Sequence, residues 1–256
     1  MPGEQFQADW GQGKTIVEGE KRVIKYFVMV LGYSRMLYVE FVEDERLSTL
    51  VKCHNNAFEY FGGYCSEGLY DNMKAVVKKI EKNKEYNVKF MDFANFYGFK
   101  VTTHRPYNPK AKGKVERMVP FVRNNILYGQ EYSNMAELEN SRVQWLEEAN
   151  LRVHSELKEI PFERFERERK HLNLLTRLYP IRYLETRKVR KDGGLIYQNR
   201  RYELGNKYAG SIVNLERKGG IINIYLNDEK IKTELLKMDV ETRDLREYEE
   251  VSQNGI

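Results

Sequence analysis

Nine consecutive residues, Val23 to Leu31 (VIKYFVMVL), are nearly all apolar and rich in β-branched side chains. A strand with one wet face alternates polar and apolar residues. This run does not, so it reads as a strand buried on both faces. That constrains the chain more than any other feature: it calls for a sheet with cover on both sides, in an α/β domain.

The flanking segments supply the rest of such a domain. Gln5 to Asp9 reads as a short strand ending at Trp10-Gly11, and Met36 to Val42 as another after the turn Gly32-Tyr33-Ser34. With the central run they form an antiparallel meander. Leu47, Leu50, Val51, Ala57, Phe58 and Phe61 recur at helical spacing until Gly62-Gly63 stops the helix. Tyr64 to Asp71 is a fourth strand. Tyr86, Phe90, Phe93, Ala94 and Tyr97 mark a second helix ended by Gly98, and Phe99 to Thr103 is a fifth strand. A Pro-rich loop leads into a basic helix from about Ala111 to Leu127, which Pro120 should kink or break. A further helix runs from Asn134 to Leu151, with Asn134 and Glu137 as a capping pair. Ile160 to Leu178 is charged and looks helical. After Tyr179-Pro180 come short strands separated by Gly and Asn turns, which suggest a small all-β barrel. The expected domains are therefore 1–180 and 181–256, the second with an acidic tail.

Charge is informative by its distribution. The net charge of +5 favours nucleic acid only weakly. From His104 to Arg123, however, six Lys/Arg surround one acidic residue, Glu116. Glu185 to Lys218 carries nine Lys/Arg against four acidic residues, a second stretch suited to phosphates. Asp239 to Glu250 holds six acidic residues and two Arg and reads as a solvated end. Cys53 and Cys65 make no metal-binding spacing, and Cys53 falls in an apolar helical stripe. No run of 18 apolar residues and no signal peptide are present. A soluble, cytoplasmic protein with no membrane partner is expected.

Three carboxylates carry the functional reading. Asp9 is expected at the end of the first strand, Asp71 at the end of the fourth, and Glu116 in the first turns of the basic helix. Singly, each has an ordinary explanation: a turn residue, a turn dipeptide, a surface ion pair. The order of elements changes this. Three antiparallel strands, then helix, strand, helix, strand and helix, is the layout of a ribonuclease-H-like core with a mixed five-stranded sheet. In that layout the first and fourth strands are neighbours, and the three carboxylates converge. Convergent carboxylates repel unless a cation joins them, and all-oxygen ligands favour Mg²⁺. Two such ions can clamp the attacking and leaving oxygens of a phosphoryl transfer. Lys110, Lys112, Lys114 and Arg117 lie within two turns of Glu116, Lys74 lies three residues past Asp71, and Arg123 lies further along the basic helix. All are candidates for contact with DNA phosphates. Asn72 is a candidate for orienting Asp71 or a metal-bound water, and His104 for contacting DNA or a metal-bound water. His54 and His154 read as structural.

DWG at Asp9–Gly11, YDNMK at Tyr70–Lys74 and HRPYNPKAKGKVER at His104–Arg117 resemble the DDE transposases and retroviral-type integrases. The opening PGEQFQADWG and the stretch from Trp145 to Glu168 are similar to IstA-type transposases of bacterial insertion sequences. The resemblance implies a triad of Asp9, Asp71 and Glu116 that binds two Mg²⁺ ions, with Mn²⁺ able to substitute. It implies hydrolysis of a phosphodiester at the element end, then attack of the freed 3′-hydroxyl on target DNA. It also implies a homo-oligomer on DNA and an IstB-type ATPase partner. The family carries helix-turn-helix segments ahead of the catalytic domain, so this chain is expected to be a catalytic fragment. Two other readings compete: a regulatory or inactive DNA-binding fragment, and a nuclease of the same fold.

Overall fold

The first two strands, β1 (Gln5–Val17) and β2 (Glu20–Leu31), form one long antiparallel hairpin, paired from Phe6–Leu31 to Val17–Glu20. The computed structural model describes residues 1–71, 73–79, 85–103, 115–181, 185–218 and 220–236; the side chains of Lys79, Glu116 and Lys218 also lie outside the description. Glu18 and Gly19, at φ 57° and 77°, make the two-residue turn whose twist suits a hairpin. β1 is longer than the sequence suggested. It does not end at Trp10-Gly11, because Gly11, Gly13, Thr15 and Val17 continue an alternating buried face. Asp9 therefore stands inside a strand, opposite Val28, rather than at its end.

β3 (Leu37–Val42) pairs antiparallel with β2. Helix α1 (Leu47–Phe61) stops at Gly62, which takes the left-handed conformation a side chain disfavours and returns its N–H to Glu59 and Phe58 carbonyls. β4 (Glu67–Tyr70) runs parallel to β1. Helix α2 (Val88–Tyr97) ends at Gly98 in the same way, and β5 (Lys100–Thr103) runs parallel to β4. The sheet order is β3-β2-β1-β4-β5, and a short β6 (Glu131–Tyr132) joins the far end of β1. This mixed sheet, with only β2 reversed, is the ribonuclease-H-like arrangement.

Helices cover both faces, as the β2 run requires. Tyr26 to Leu31 are each at most 1% exposed. On one face Phe6 packs edge-on against Phe58, Tyr70 and Phe99, with His54 beside them in α1. On the other, Tyr26, Val28 and Val30 meet α3 (Val115–Val122), a π-helical turn (Arg123–Leu127) and α4 (Met135–Leu151). Asn134 caps α4 by accepting the Glu137 N–H at 2.9 Å. At the C-terminal end of α4, the Asn150 amide accepts from Leu37 N–H (2.8 Å) and donates to Leu37 O (2.9 Å).

The charged stretch from Ile160 is helical only over α5 (Pro161–Glu168) and a 3₁₀ turn, Arg169–His171. Residues 169–178 are mostly exposed, so no apolar stripe holds further turns there. Glu168 is fully buried, and its carboxylate accepts the Gly3 and Ser34 N–H groups at 3.1 and 2.9 Å. Among the described residues no helix is long and apolar enough to cross a membrane.

The chain divides into two units, Met1–Pro180 and Ile181–Ile256. In the second, β7 (Glu185–Lys188), β10 (Ile212–Lys218), β11 (Ile221–Leu226) and β12 (Glu229–Leu235) form an antiparallel sheet in that order. Between β7 and β10 in the chain, β8 (Gly194–Tyr197) and β9 (Arg200–Glu203) make a separate hairpin. Leu195, Tyr197 and Tyr202 of the hairpin share one core with Val213, Leu215, Ile222 and Ile224 of the sheet.

Candidate active site

Parallel pairing of β1 with β4 ends at Ala8–Tyr70. Asp9 continues β1 one residue past that pair, and Asp71 is the first residue after β4, so both leave the same end of the paired segment. Successive residues of a strand project to opposite faces. Phe6 and Ala8 face the α1–α2 layer, so Gln7 and Asp9 face the α3 layer. Asp9 Oδ1 also accepts the Trp10 N–H at 2.8 Å.

A line of side-chain amides ties the start of α3 to this face. Gln5 Nε2 donates to Glu67 Oε1, Gln7 Nε2 donates to Gln5 Oε1, each at 3.1 Å, and Val115 N–H donates to Gln7 Oε1 at 3.2 Å. The Val115 N–H is one of the donors a helix N-terminus leaves without an internal partner, and Gln7 satisfies it. Glu116 is the next helical residue. Its backbone therefore begins α3 close to Gln7, two residues before Asp9 on the same strand. Its side chain lies outside the described residues, and among the described residues no three His, Cys, Asp or Glu side chains form a metal-holding group.

Further along α3, Tyr26 reaches from β2 across Gly11. A Cβ on Gly11 would sit 2.1 Å from the Tyr26 ring, so only glycine lets the ring cross there. A Cβ on Gly13 would sit 2.7 Å from Leu127 Cδ1. Gly11, expected to end the strand, and Gly13 are thus strand positions stripped of side chains so that a ring and a helix can lie on them. The Tyr26 hydroxyl donates to Val119 O at 2.8 Å and accepts from the Arg123 backbone N–H. In an α-helix those two groups would bond each other. The hydroxyl stands between them, and the next turn closes with the wider spacing of a π-helix, Tyr128 N–H to Arg123 O at 2.9 Å. Pro120 was expected to mark the irregularity, yet α3 runs through it and widens three residues later. Burial, opposed by the Arg123 charge and aided by that of Asp9, pushes the Tyr26 phenol up to about 12. Tyr26 was read only as part of an apolar run; its signal was the Gly-x-Gly opposite it.

Behind Asp71, His54 is fully buried between α1 and β4. Its Nδ1 lies 2.7 Å from Leu50 O, which only accepts, so Nδ1 carries the proton and Nε2 accepts from the Tyr70 hydroxyl at 3.0 Å. Burial lowers its pKa to about 4, only partly opposed by the Leu50 bond.

Of the other sequence candidates, Lys74 is exposed in the turn after Asp71. Arg117 is exposed on α3 and pairs with Glu156. Arg123 is exposed at the start of the π-helical turn, with its Nε donating to Asn124 Oδ1 at 3.3 Å. Asn72, His104, Lys110, Lys112 and Lys114 lie outside the described residues.

Comparison with known proteins bears on this arrangement. Residues 1–109 match the family described as the integrase core domain. The chain is 36% identical over 236 residues to a putative transposase for insertion sequence element IS5376 of Geobacillus stearothermophilus, covering 90% of this chain and 58% of that one. It is 30% identical over 233 residues to the transposase for insertion sequence element IS21 of Pseudomonas aeruginosa, again covering 90% and 58%. The chain thus spans less than two thirds of the length of these relatives. Among solved structures, the HTLV-2 integrase catalytic core domain in complex with magnesium is similar at 19% identity and a TM-score of 0.48, covering 64% of this chain and 97% of that one. With a match to the integrase core domain at its head and similarity to insertion-sequence transposases over nine-tenths of its length, the chain resembles the insertion-sequence transposases.

Proposed function

We propose that this chain is the catalytic part of a DNA transposase, which hydrolyses a phosphodiester at an element end and joins the freed 3′-hydroxyl to target DNA. The observation that carries this reading is the Ala8–Tyr70 pair, which Asp9 and Asp71 follow directly in the chain. Carboxylates gathered there would form an all-oxygen donor set, which fits a hard divalent cation. Asp9, Asp71 and Glu116 would hold Mg²⁺, as two ions and with Mn²⁺ able to substitute. When bound, such ions stabilise charge on the oxygens of the reacting phosphodiester.

The remaining roles belong to the protein. Gln7 fixes the start of the Glu116 helix, and Tyr26 fixes its distance from β1. Lys74, Arg117 and Arg123, with His104, Lys110, Lys112 and Lys114, would contact DNA phosphates, and Asn72 would orient Asp71. Residues 1–180 form the catalytic domain in this reading. Residues 181–256 form a small barrel, supported by the core that its sheet and hairpin share. The protein works in the cytoplasm as a homo-oligomer that pairs two DNA ends, with an IstB-type ATPase delivering the target.

The test is strand transfer. The protein is incubated with pre-cleaved element-end DNA, a plasmid target and Mg²⁺ or Mn²⁺, beside Glu116→Gln, with and without the ATPase. Joined product in the wild type and none in the variant is expected. Undiminished joining by Glu116→Gln would overturn the role given to Glu116. Absence of joining under every condition, with DNA still bound, would overturn the catalytic reading.

A further inference from the structure

A cavity of about 460 Å³ opens between α3, the β2–β3 turn and the segment after α4. Three arginines, Arg35, Arg117 and Arg152, and His154 line it, together with Met118 and Phe121. Its volume is in the range of small-molecule sites and exceeds what a lone inorganic anion fills. Among the described residues Glu156 is its one acidic lining residue, and that carboxylate pairs with Arg117 between two exposed side chains. Exposed pairs of this kind exchange readily.

The placing of Arg35 is itself unusual. It occupies φ 64° at the end of the β2–β3 turn, where its N–H closes onto Leu31 O at 3.1 Å. Glycine or asparagine suits that conformation, and an arginine there is strained. Burial, then the charge of Arg164, lower its pKa; Glu168 opposes this and Arg117 adds to it. Burial and the charges of Arg35 and Arg117 likewise lower that of His154. Its Nδ1 accepts from the Glu156 and Leu157 N–H groups at 3.2 and 3.4 Å, so the neutral ring carries its proton on Nε2. Like charges crowded at an apolar-floored cavity are relieved by an anion.

Position identifies the anion. Val30, in the cavity wall, lies opposite Gln7, while Val28 lies opposite Asp9. The cavity is therefore on the Asp9 face of the sheet, one strand over and one same-face step along. We propose that it binds a phosphodiester of a DNA strand near the reacting bond. The phosphate meets Arg35, Arg117 and Arg152, and its nucleoside rests on Met118 and Phe121. Only the choice of DNA rests on the strand-transfer reading.

The test is binding of a labelled single strand of about ten nucleotides by anisotropy, in chelator, with adenosine monophosphate as a free-nucleotide competitor. The double variant Arg35→Gln/Arg152→Gln should bind about tenfold more weakly at low salt, and its log–log salt slope should fall by about 0.7 per lost phosphate contact. Arg169→Gln, exposed and not among the residues that line the cavity, should bind as the wild type does. Val153→Glu places a negative charge on an exposed rim residue without touching the core, and should weaken binding even if the double variant is destabilised. Unchanged affinity and slope in a folded double variant and in Val153→Glu would overturn the proposal. So would tight, arginine-dependent binding of the free nucleotide with no such dependence for the strand. Because no metal or turnover is required, pocket-dependent binding by a protein that joins no DNA would sink the strand-transfer reading and leave the pocket standing.

Discussion

The Tyr26 hydroxyl lies 2.8 Å from the carbonyl of Val119, in the gap where an α-helix would place the Arg123 N–H. One side chain from the sheet thereby sets the shape of the helix that begins with Val115 and Glu116. Tyr26→Phe keeps the ring and removes the oxygen, leaving the Val119 carbonyl and the Arg123 N–H to find each other. A loss of about 1–3 kcal/mol in urea unfolding is expected, with strand transfer falling further than stability explains. The phenol also titrates differently in the two states. Its folded pKa, about 12, lies above the ordinary 10, so its contribution is complete below pH 10 and lost as pH rises towards 12. The alkaline decline in stability should be shallower in Tyr26→Phe, and an identical decline would remove Tyr26 from it.

Gly11→Ala tests the same wedge from the strand side. The added Cβ would overlap the Tyr26 ring, so ring or strand must move, at about 1–3 kcal/mol. Gly220→Ala is the control, because a Cβ there meets nothing within 4 Å. Equal melting temperatures for the two variants would contradict the packing described.

His54 makes an acid-side prediction. Its folded pKa of about 4 is below the ordinary 6.5, so the unfolded chain binds the proton first. Stability should be full above pH 6.5 and fall between 6.5 and 4, by on the order of 3 kcal/mol at 1.4 per pKa unit. His54→Gln should flatten that interval in acid-unfolding curves. Since Tyr70 donates to this ring and precedes Asp71, acid should also loosen the Asp71 end of the site.

Metal response probes the carboxylate pair without any DNA. Two neighbouring carboxylates repel in the metal-free protein, so Asp71→Asn should melt at or above the wild-type temperature. Mg²⁺ at about tenfold over its dissociation constant should add roughly 1.4 kcal/mol to the wild type, and nothing to Asp71→Asn. Equal stabilisation of both proteins would place Mg²⁺ elsewhere.

Much of this fold is readable locally. The VIKYFVMVL run marks a doubly covered strand, and Gly62 and Gly98 stop helices in a conformation that only their own chemistry explains. What is not readable comes from partners distant in sequence. Trp10-Gly11 reads as the end of a strand because the ring of Tyr26, which requires Gly11, is 15 residues away. Pro120 advertised a break that the helix absorbs, while the actual widening follows from a hydroxyl on another element. Asp9 and Asp71 stand out in the sequence as residue types, yet that both follow directly on one paired position, Ala8–Tyr70, depends on strand register, which no local pattern gives. Arg35, Arg152 and Phe121 look like unrelated surface residues until the fold gathers them at one cavity.

The amide of Asn150 has a consequence for assembly. β3 is an outer strand, and its outward backbone groups at Leu37 would otherwise invite a strand from another molecule. Asn150 occupies both of them with the geometry of a neighbouring strand, from a helix that cannot extend the ladder. Growth of the sheet past this border is blocked at that residue. In the proposed homo-oligomer, copies of this chain would meet at this border through side chains, whose fit can be specific, rather than by adding strands along it, which any extended peptide can imitate.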